Sequence, residues 1–248
     1  MIMDIFIEAE KIFHIGPFAI TNSYFTSVVV VVIISACAYF FSRRISEVPG
    51  KLQQGVEMLL EFLFDFFEKV FGDRERTKKF FPFVCTFFLF ILLSNWFGIL
   101  PGVGTIGLHE EHNGKTILVP FFRSVNSDIN MTLALAIISV LATNIIGIAM
   151  IGFFKYASRY INFHGPINFF VGILELISEV AKIISFSFRL FGNIFAGEVL
   201  LIVMAFLLPF IVPLPFLAME LFVGFVQALV FSMLTVVFLK TATEHTSH

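Results

Sequence analysis

Ionisable side chains inside apolar runs are the most informative feature of this 248-residue chain. The segment Ser185-Phe-Ser-Phe-Arg-Leu-Phe-Gly-Asn-Ile-Phe-Ala-Gly-Glu198 sets Arg189 in the middle of a long hydrophobic stretch. Arginine at a bilayer centre costs about 2.5–3.5 kcal/mol on insertion scales and about 10–17 kcal/mol in simulations, so such a residue needs a functional reason. At about 100° per residue, Glu175, Ser178, Lys182, Ser185 and Asn193 all project within roughly 40° of Arg189 on one helix face. That stripe offers proton carriers and hydrogen-bonding groups leading to a cation that does not release its own proton. Glu198 points about 180° away from Arg189 and lies about 13 Å further along the axis, in a different polar environment. Further on, Glu220 and Gln227 are seven residues apart and share a face with Gly224. The pattern is two polar routes from opposite sides, offset around a central Arg.

Membrane helices must position these groups. The chain is 58% hydrophobic and only 14% charged, with 36 Phe and mean hydropathy +0.95. Soluble domains carry roughly 25% charged residues, so an ordinary soluble enzyme is not expected, nor is a disordered chain. Net charge −2 gives no basic excess for nucleic acid. The two cysteines, Cys37 and Cys85, lie in apolar runs and suggest packing rather than a disulfide scaffold. Four uncharged stretches, 24–42, 80–101, 129–154 and 216–239 (uncharged from Leu221), predict spans of about 20 residues or more. A fifth, 168–208, would reach roughly 60 Å against a core of about 30 Å. It must tilt steeply, bend, or run partly outside the bilayer. The segment 51–72 interleaves Lys51, Glu57, Glu61, Asp65, Glu68 and Lys69 with Leu and Phe, the pattern of an amphipathic helix. The expectation is an all-α integral membrane protein, one membrane domain over 1–248. It would have about five membrane helices, one amphipathic helix, and a long tilted fourth membrane helix carrying the intramembrane Arg. Asp4, Glu8, Glu10 and Lys11 precede the first span, so no cleaved leader is expected.

With five spans, Arg43, Arg44, Lys51, Lys69, Arg74, Arg76, Lys78, Lys79, Lys155, Arg159 and Lys240 fall on one side. Lys11, Lys115 and Arg123 fall on the other. The positive-inside rule then predicts an external N-terminus and a cytoplasmic C-terminus. The longest loop, 102–126, lies outside. The fourth span runs outward, so Glu198 and Glu220 lie toward the outer side and Glu175 to Lys182 toward the cytoplasm.

The chain resembles subunit a of the F-type ATP synthase, the stationary membrane subunit beside the rotor ring. The resemblance rests on Ser187-Phe-Arg-Leu-Phe-Gly-Asn-Ile-Phe-Ala-Gly-Glu198 and Phe225-Val-Gln-Ala-Leu-Val-Phe231. It extends to Ser94-Asn-Trp-Phe-Gly-Ile-Leu-Pro-Gly102 and Ser127-Asp-Ile-Asn-Met-Thr-Leu-Ala-Leu-Ala136. It implies that Arg189 faces the rotor's carboxylates, and that Asn193, Glu198, Glu220 and Gln227 line the outer half-channel or its junction with the Arg. It further implies that Glu175 lies on the cytoplasmic route and that Asp128 is a polar position opening the third span. Relatives often pair an acid with a His at the Glu198 and Glu220 positions; here both are acids. The implied partners are the c-subunit ring, the b-subunit peripheral stalk and other ATP synthase subunits in a bilayer. The implied location is a bacterial inner membrane rather than an organellar one.

The mechanism so implied is electrostatic. A neutral rotor carboxyl tolerates lipid, whereas an ionised one there is costly. A close opposite charge lowers a carboxyl pKa by about 1–3 units, so Arg189 favours the ionised form. Protons entering past Glu220 and Glu198 would reload the rotor and leave past the Glu175–Lys182 stripe. Each charge is worth about 2.3 kcal/mol per 100 mV. Simpler readings compete with this one. Arg189 could pair with Glu175 or Glu179. Lys182 and Glu179 fit snorkelling as well as channel lining. Glu198 and Glu220 could form a structural pair sharing a proton, and Gln227 could be interhelical glue. His109-Glu-Glu-His112 lacks zincin spacing, so no metal is expected there. No phosphate-binding Gly-rich Lys loop occurs, so neither a cofactor nor direct ATP binding is expected, and the subunit reads as non-catalytic. The rival class, a self-contained secondary transporter, would normally carry paired repeats with broken helices.

Overall fold

The computed structural model describes residues 10–15, 18–46, 49–100, 102–103, 106–112, 115–158, 160, 166–208 and 212–243. Asp4, Glu8, Pro101, Arg159 and Pro209 lie outside these residues, as do the side chains of 108–118, including His109 and His112. In order, the elements are β1 (Lys11–Ile15), β2 (Phe18–Thr21), α1 (Asn22–Arg43), α2 (Lys51–Phe71) and α3 (Arg74–Ile99). There follow β3 (Gly107–His112), β4 (Lys115–Pro120), a 3-10 turn at Val125–Ser127, α4 (Ile129–Ile151), α5 (Phe153–Ala157), α6 (Pro166–Leu207) and α7 (Pro213–Thr243). Among the described residues, five helices, α1, α3, α4, α6 and α7, are long and apolar enough to cross a membrane.

Local chemistry sets the boundaries. Thr21, Asp73 and Asp128 cap α1, α3 and α4, each accepting a hydrogen bond from a first-turn amide. The Asp73 cap starts α3 in the charged stretch before residue 80, because charged first turns can remain solvated while the apolar turns are buried. Gly72 ends α2 at φ 73°, a left-handed conformation that glycine adopts without steric penalty. The third span ends at Ile151, short of residue 154, because Gly152 at φ 94° breaks the helix before α5. α7 begins at Pro213, where a missing amide proton costs nothing.

The long fourth element is one unbroken helix of 42 residues, α6, in line with the long fourth membrane helix expected from the sequence. One feature departs from the sequence reading: residues 11–21 and the loop between α3 and α4 each contain an antiparallel β-hairpin, β1–β2 and β3–β4.

α7 packs against α3, α4, α6 and α2. The core joins Leu63 and Phe67 of α2, Phe88 and Ile91 of α3, Phe186 and Leu190 of α6, and Phe231 and Leu239 of α7. Phe186 contacts Phe231 with ring centroids at 4.7 Å and stacks on Phe238 at 5.2 Å. Polar ties supplement the apolar contacts: Ser139 with Thr235 at 3.0 Å and Thr132 with Ser187 at 3.1 Å. Helix association in lipid relies on such close packing and hydrogen bonds, because lipid tails are as apolar as the helices. α6 is the least covered of the long helices. In its most apolar window 11% of residues are buried, against 50% in α3, so a whole face of α6 is open.

Candidate functional site

Ser178, Ser185, Arg189, Gly192, Asn193 and Ala196 all lie on that open face, with Glu175 and Lys182 half-buried at its start. Arg189 donates to Ser185 Oγ at 3.3 Å, one turn back on the same helix. Among the described residues no carboxylate lies within ion-pair distance of Arg189. Glu179 is engaged elsewhere: it pairs with Lys182 at 2.5 Å and accepts from Asn144 of α4 at 3.3 Å. Tyr156 in turn donates to Asn144 Oδ1 at 2.6 Å. The Lys182 ammonium also sits over the Phe238 ring, 4.7 Å from its centroid. Lys182 therefore starts on the Arg189 face but turns its charge toward α7.

Beyond Arg189 the stripe turns inward. Asn193 donates to Oε1 of the buried Gln227 at 2.8 Å, linking α6 to α7. On the same face of α7, Asn95 of α3 donates to the carbonyl of Gly224 at 3.0 Å. Asn126 donates to Asn95 Oδ1 at 2.6 Å, and Trp96 donates to the Leu221 carbonyl at 3.1 Å. The Asn95-Trp96 pair is thus an interhelical fastener. Gly224 permits the approach, because a Cβ there would sit 3.1 Å from Asn95 Cβ.

Glu220 is buried, 7% exposed, one turn before Gly224. Gly197 of α6 makes room for its head: a Cβ on Gly197 would lie 3.2 Å from Glu220 Oε1. The neighbouring Glu198 approaches Arg123 Nε at 3.8 Å. No hydrogen bond joins the two carboxyls, and Oε2 of each is buried without a partner among the described residues. Buried polar atoms are nearly always satisfied, by protein or by water, so this cluster is suited to hold water. Asp128 is buried too, but its carboxylate caps α4, accepting from the Asn130 amide at 2.9 Å.

The structure therefore brings Asn193 to Gln227 and Gly197-Glu198 to Glu220. It leaves Ser178, Ser185 and Arg189 open and holds Asp128 apart as a helix cap. The sequence reading assigned Arg123 only to an outer loop. The available signal was charge balance: the acids Glu198 of α6 and Glu220 of α7 call for a cation, and the loop between α3 and α4 supplies only Lys115 and Arg123.

Among the described residues, five helices long and apolar enough to span a membrane and an amphipathic helix packed against α3 and α7 define a multi-pass membrane protein. Residues 24–240 match the model of the ATP synthase A chain family. The chain belongs to that family. It is 32% identical over 248 residues to ATP synthase subunit a of Campylobacter concisus, covering 99% of this chain and 98% of that protein. It is 33% identical to ATP synthase subunit a of Campylobacter jejuni subsp. doylei over 90% of this chain and 91% of the other. The Moorella thermoacetica subunit a is 28% identical over 94% and 95% of the two chains. As a family member the chain is a membrane component of an ATP synthase.

Proposed function

We propose that this subunit passes protons between two offset half-channels and a ring of rotor carboxylates, without itself catalysing a reaction. One observation carries the reading: Arg189 stands on an open helix face with no carboxylate partner of its own among the described residues. A cation left unmatched in an apolar setting is costly unless a partner supplies the counter-charge. A rotor carboxylate moving past α6 supplies it. Small residues on the same face, Gly192 and Ala196, favour close approach of a second helix.

In this reading, protons enter from outside past Glu198 and Glu220 and reach the Asn193–Gln227 pair. They load rotor sites there and leave, after nearly a full turn, along Glu175, Ser178, Lys182 and Ser185 toward the cytoplasm. Arg189 stabilises the emptied rotor carboxylate and blocks a direct leak between the routes, since its guanidinium keeps its proton. Asp128 holds the outer start of α4. The partners are the c-ring and the b-subunit stalk, in a bacterial inner membrane with the N-terminus outside and the C-terminus in the cytoplasm. The basic residues on the α1–α2–α3 side support that orientation.

The test is ATP-driven proton pumping in inverted membrane vesicles carrying the whole complex. Arg189→Ala is expected to abolish pumping while leaving the subunit assembled. Normal pumping in that variant would sink the reading.

A further inference from the structure

The two outer acids are not equivalent, and the difference lies in one side chain from the loop before α4. Arg123 is itself largely buried, its side chain 11% exposed. Its Nε lies 3.8 Å from Glu198 Oε1 and donates to Ser127 Oγ at 3.2 Å. Its backbone amide donates to Thr26 Oγ1 of α1, also at 3.2 Å. Arg123 is thus fixed by α1 and by its own 3-10 turn before it reaches α6. Glu220 sits against Gly197, next to Glu198 in the chain, and has no such cation beside it among the described residues.

Charge counting then separates the acids. A permanently charged guanidinium compensates one carboxylate, the half-buried Glu198. A second buried carboxylate beside the first has repulsion on one side and no counter-charge, an arrangement relieved by carrying a proton. Resting on the outer route described above, we infer that Arg123 is a positioning residue. It matches and immobilises Glu198, so that Glu220 is the carboxyl that takes up the proton and hands it inward. Glu198 acts as a fixed negative charge that draws protons to the site, and Glu220 as the carrier. Gln227, seven residues or about 10 Å further along α7, is next in line.

The experiment uses the whole complex in inverted vesicles, with pumping read from dye quenching and subunit level from immunoblots. Glu220→Gln and Arg123→Gln are each expected to lower pumping at least about tenfold. Arg123→Lys, which keeps the charge, is expected to stay within about threefold of the parent. The deciding variant is Arg123→Gln with Glu198→Gln. Removing both charges relieves the uncompensated carboxylate and is expected to raise pumping at least about threefold above Arg123→Gln alone, still below the parent because the proton-attracting charge of Glu198 is gone, whereas Arg123→Gln with Glu220→Gln stays slow. A purely structural Arg123 would show no such selective rescue. Failure of the Arg123→Gln, Glu198→Gln pair to exceed Arg123→Gln alone, or normal pumping by Arg123→Gln, overturns the inference. If Arg123→Gln is lost from the membrane, the double variant decides: present and pumping supports the inference, absent overturns it. Normal pumping by Glu220→Gln overturns the outer route itself along with it.

Discussion

The Asn193 amide donates to Gln227 Oε1 at 2.8 Å, closing α6 onto α7 one turn beyond Arg189. The bond fixes which way both side chains point and sets a neutral, polar junction between the acids above and the cation below. A hydrogen bond of this kind contributes about 0.5–1.5 kcal/mol, or roughly two- to tenfold in a rate it controls. Gln227→Leu is expected to slow ATP-driven pumping by that factor. Asn193→Leu added to it is expected to cause little further loss, because the pair acts as a unit. Additive losses in vesicle pumping assays would show that the two residues work separately.

Gly192 has no atom within 4 Å of the position a Cβ would take. A larger side chain there strains nothing inside the subunit but, in the proposed function, fills the space a rotor helix needs. Gly192→Leu is predicted to leave the subunit's thermal stability within about 0.5 kcal/mol and to abolish pumping. A freely pumping variant would place the rotor on another face.

Glu198→Gln together with Glu220→Gln removes both outer acids while keeping their size. Proton entry from the outer side is predicted to slow at least about tenfold, with assembly retained. The readout is passive proton flux through the membrane sector after removal of the catalytic head. Unchanged flux would move both acids to a structural role.

Gly147 lies where α4 meets α5 and α7. A Cβ there would come 2.7 Å from the Tyr156 ring and 2.9 Å from the Ala242 carbonyl oxygen. Gly147→Ala is expected to destabilise the bundle by about 1–3 kcal/mol through overpacking. Thermal unfolding in detergent checks this; an unchanged midpoint would mean that α4 shifts freely.

Much of this arrangement was legible because a lipid-facing helix leaves few polar residues to interpret. The 100° count placed Ser178, Ser185, Arg189 and Asn193 on one face, and that face is the open one. The same count set Glu198 opposite, where it approaches Arg123. Side-chain reach was not legible. Lys182 begins on the Arg189 stripe, yet its flexible stem carries the ammonium to Glu179 and the Phe238 ring. Nor was the Arg123–Glu198 approach, which joins residues 75 positions apart through a loop without periodicity. The hairpins escaped notice because their pairing is backbone to backbone, over stretches only four to six residues long.

α6 is braced along one side at four points: Glu179 to Asn144, Ser187 to Thr132, Asn193 to Gln227, and Glu198 to Arg123. Those supports span about 28 Å of its axis, and no proline interrupts the helix after Pro166. Mechanically it is a beam pinned at intervals and loaded from its free side. Arg189 falls in the short span of about 9 Å between the pins at Ser187 and Asn193, too short to deflect much under a sideways push. In the proposed mechanism, this bracing lets a rotating neighbour press on the helix without displacing the charge it meets.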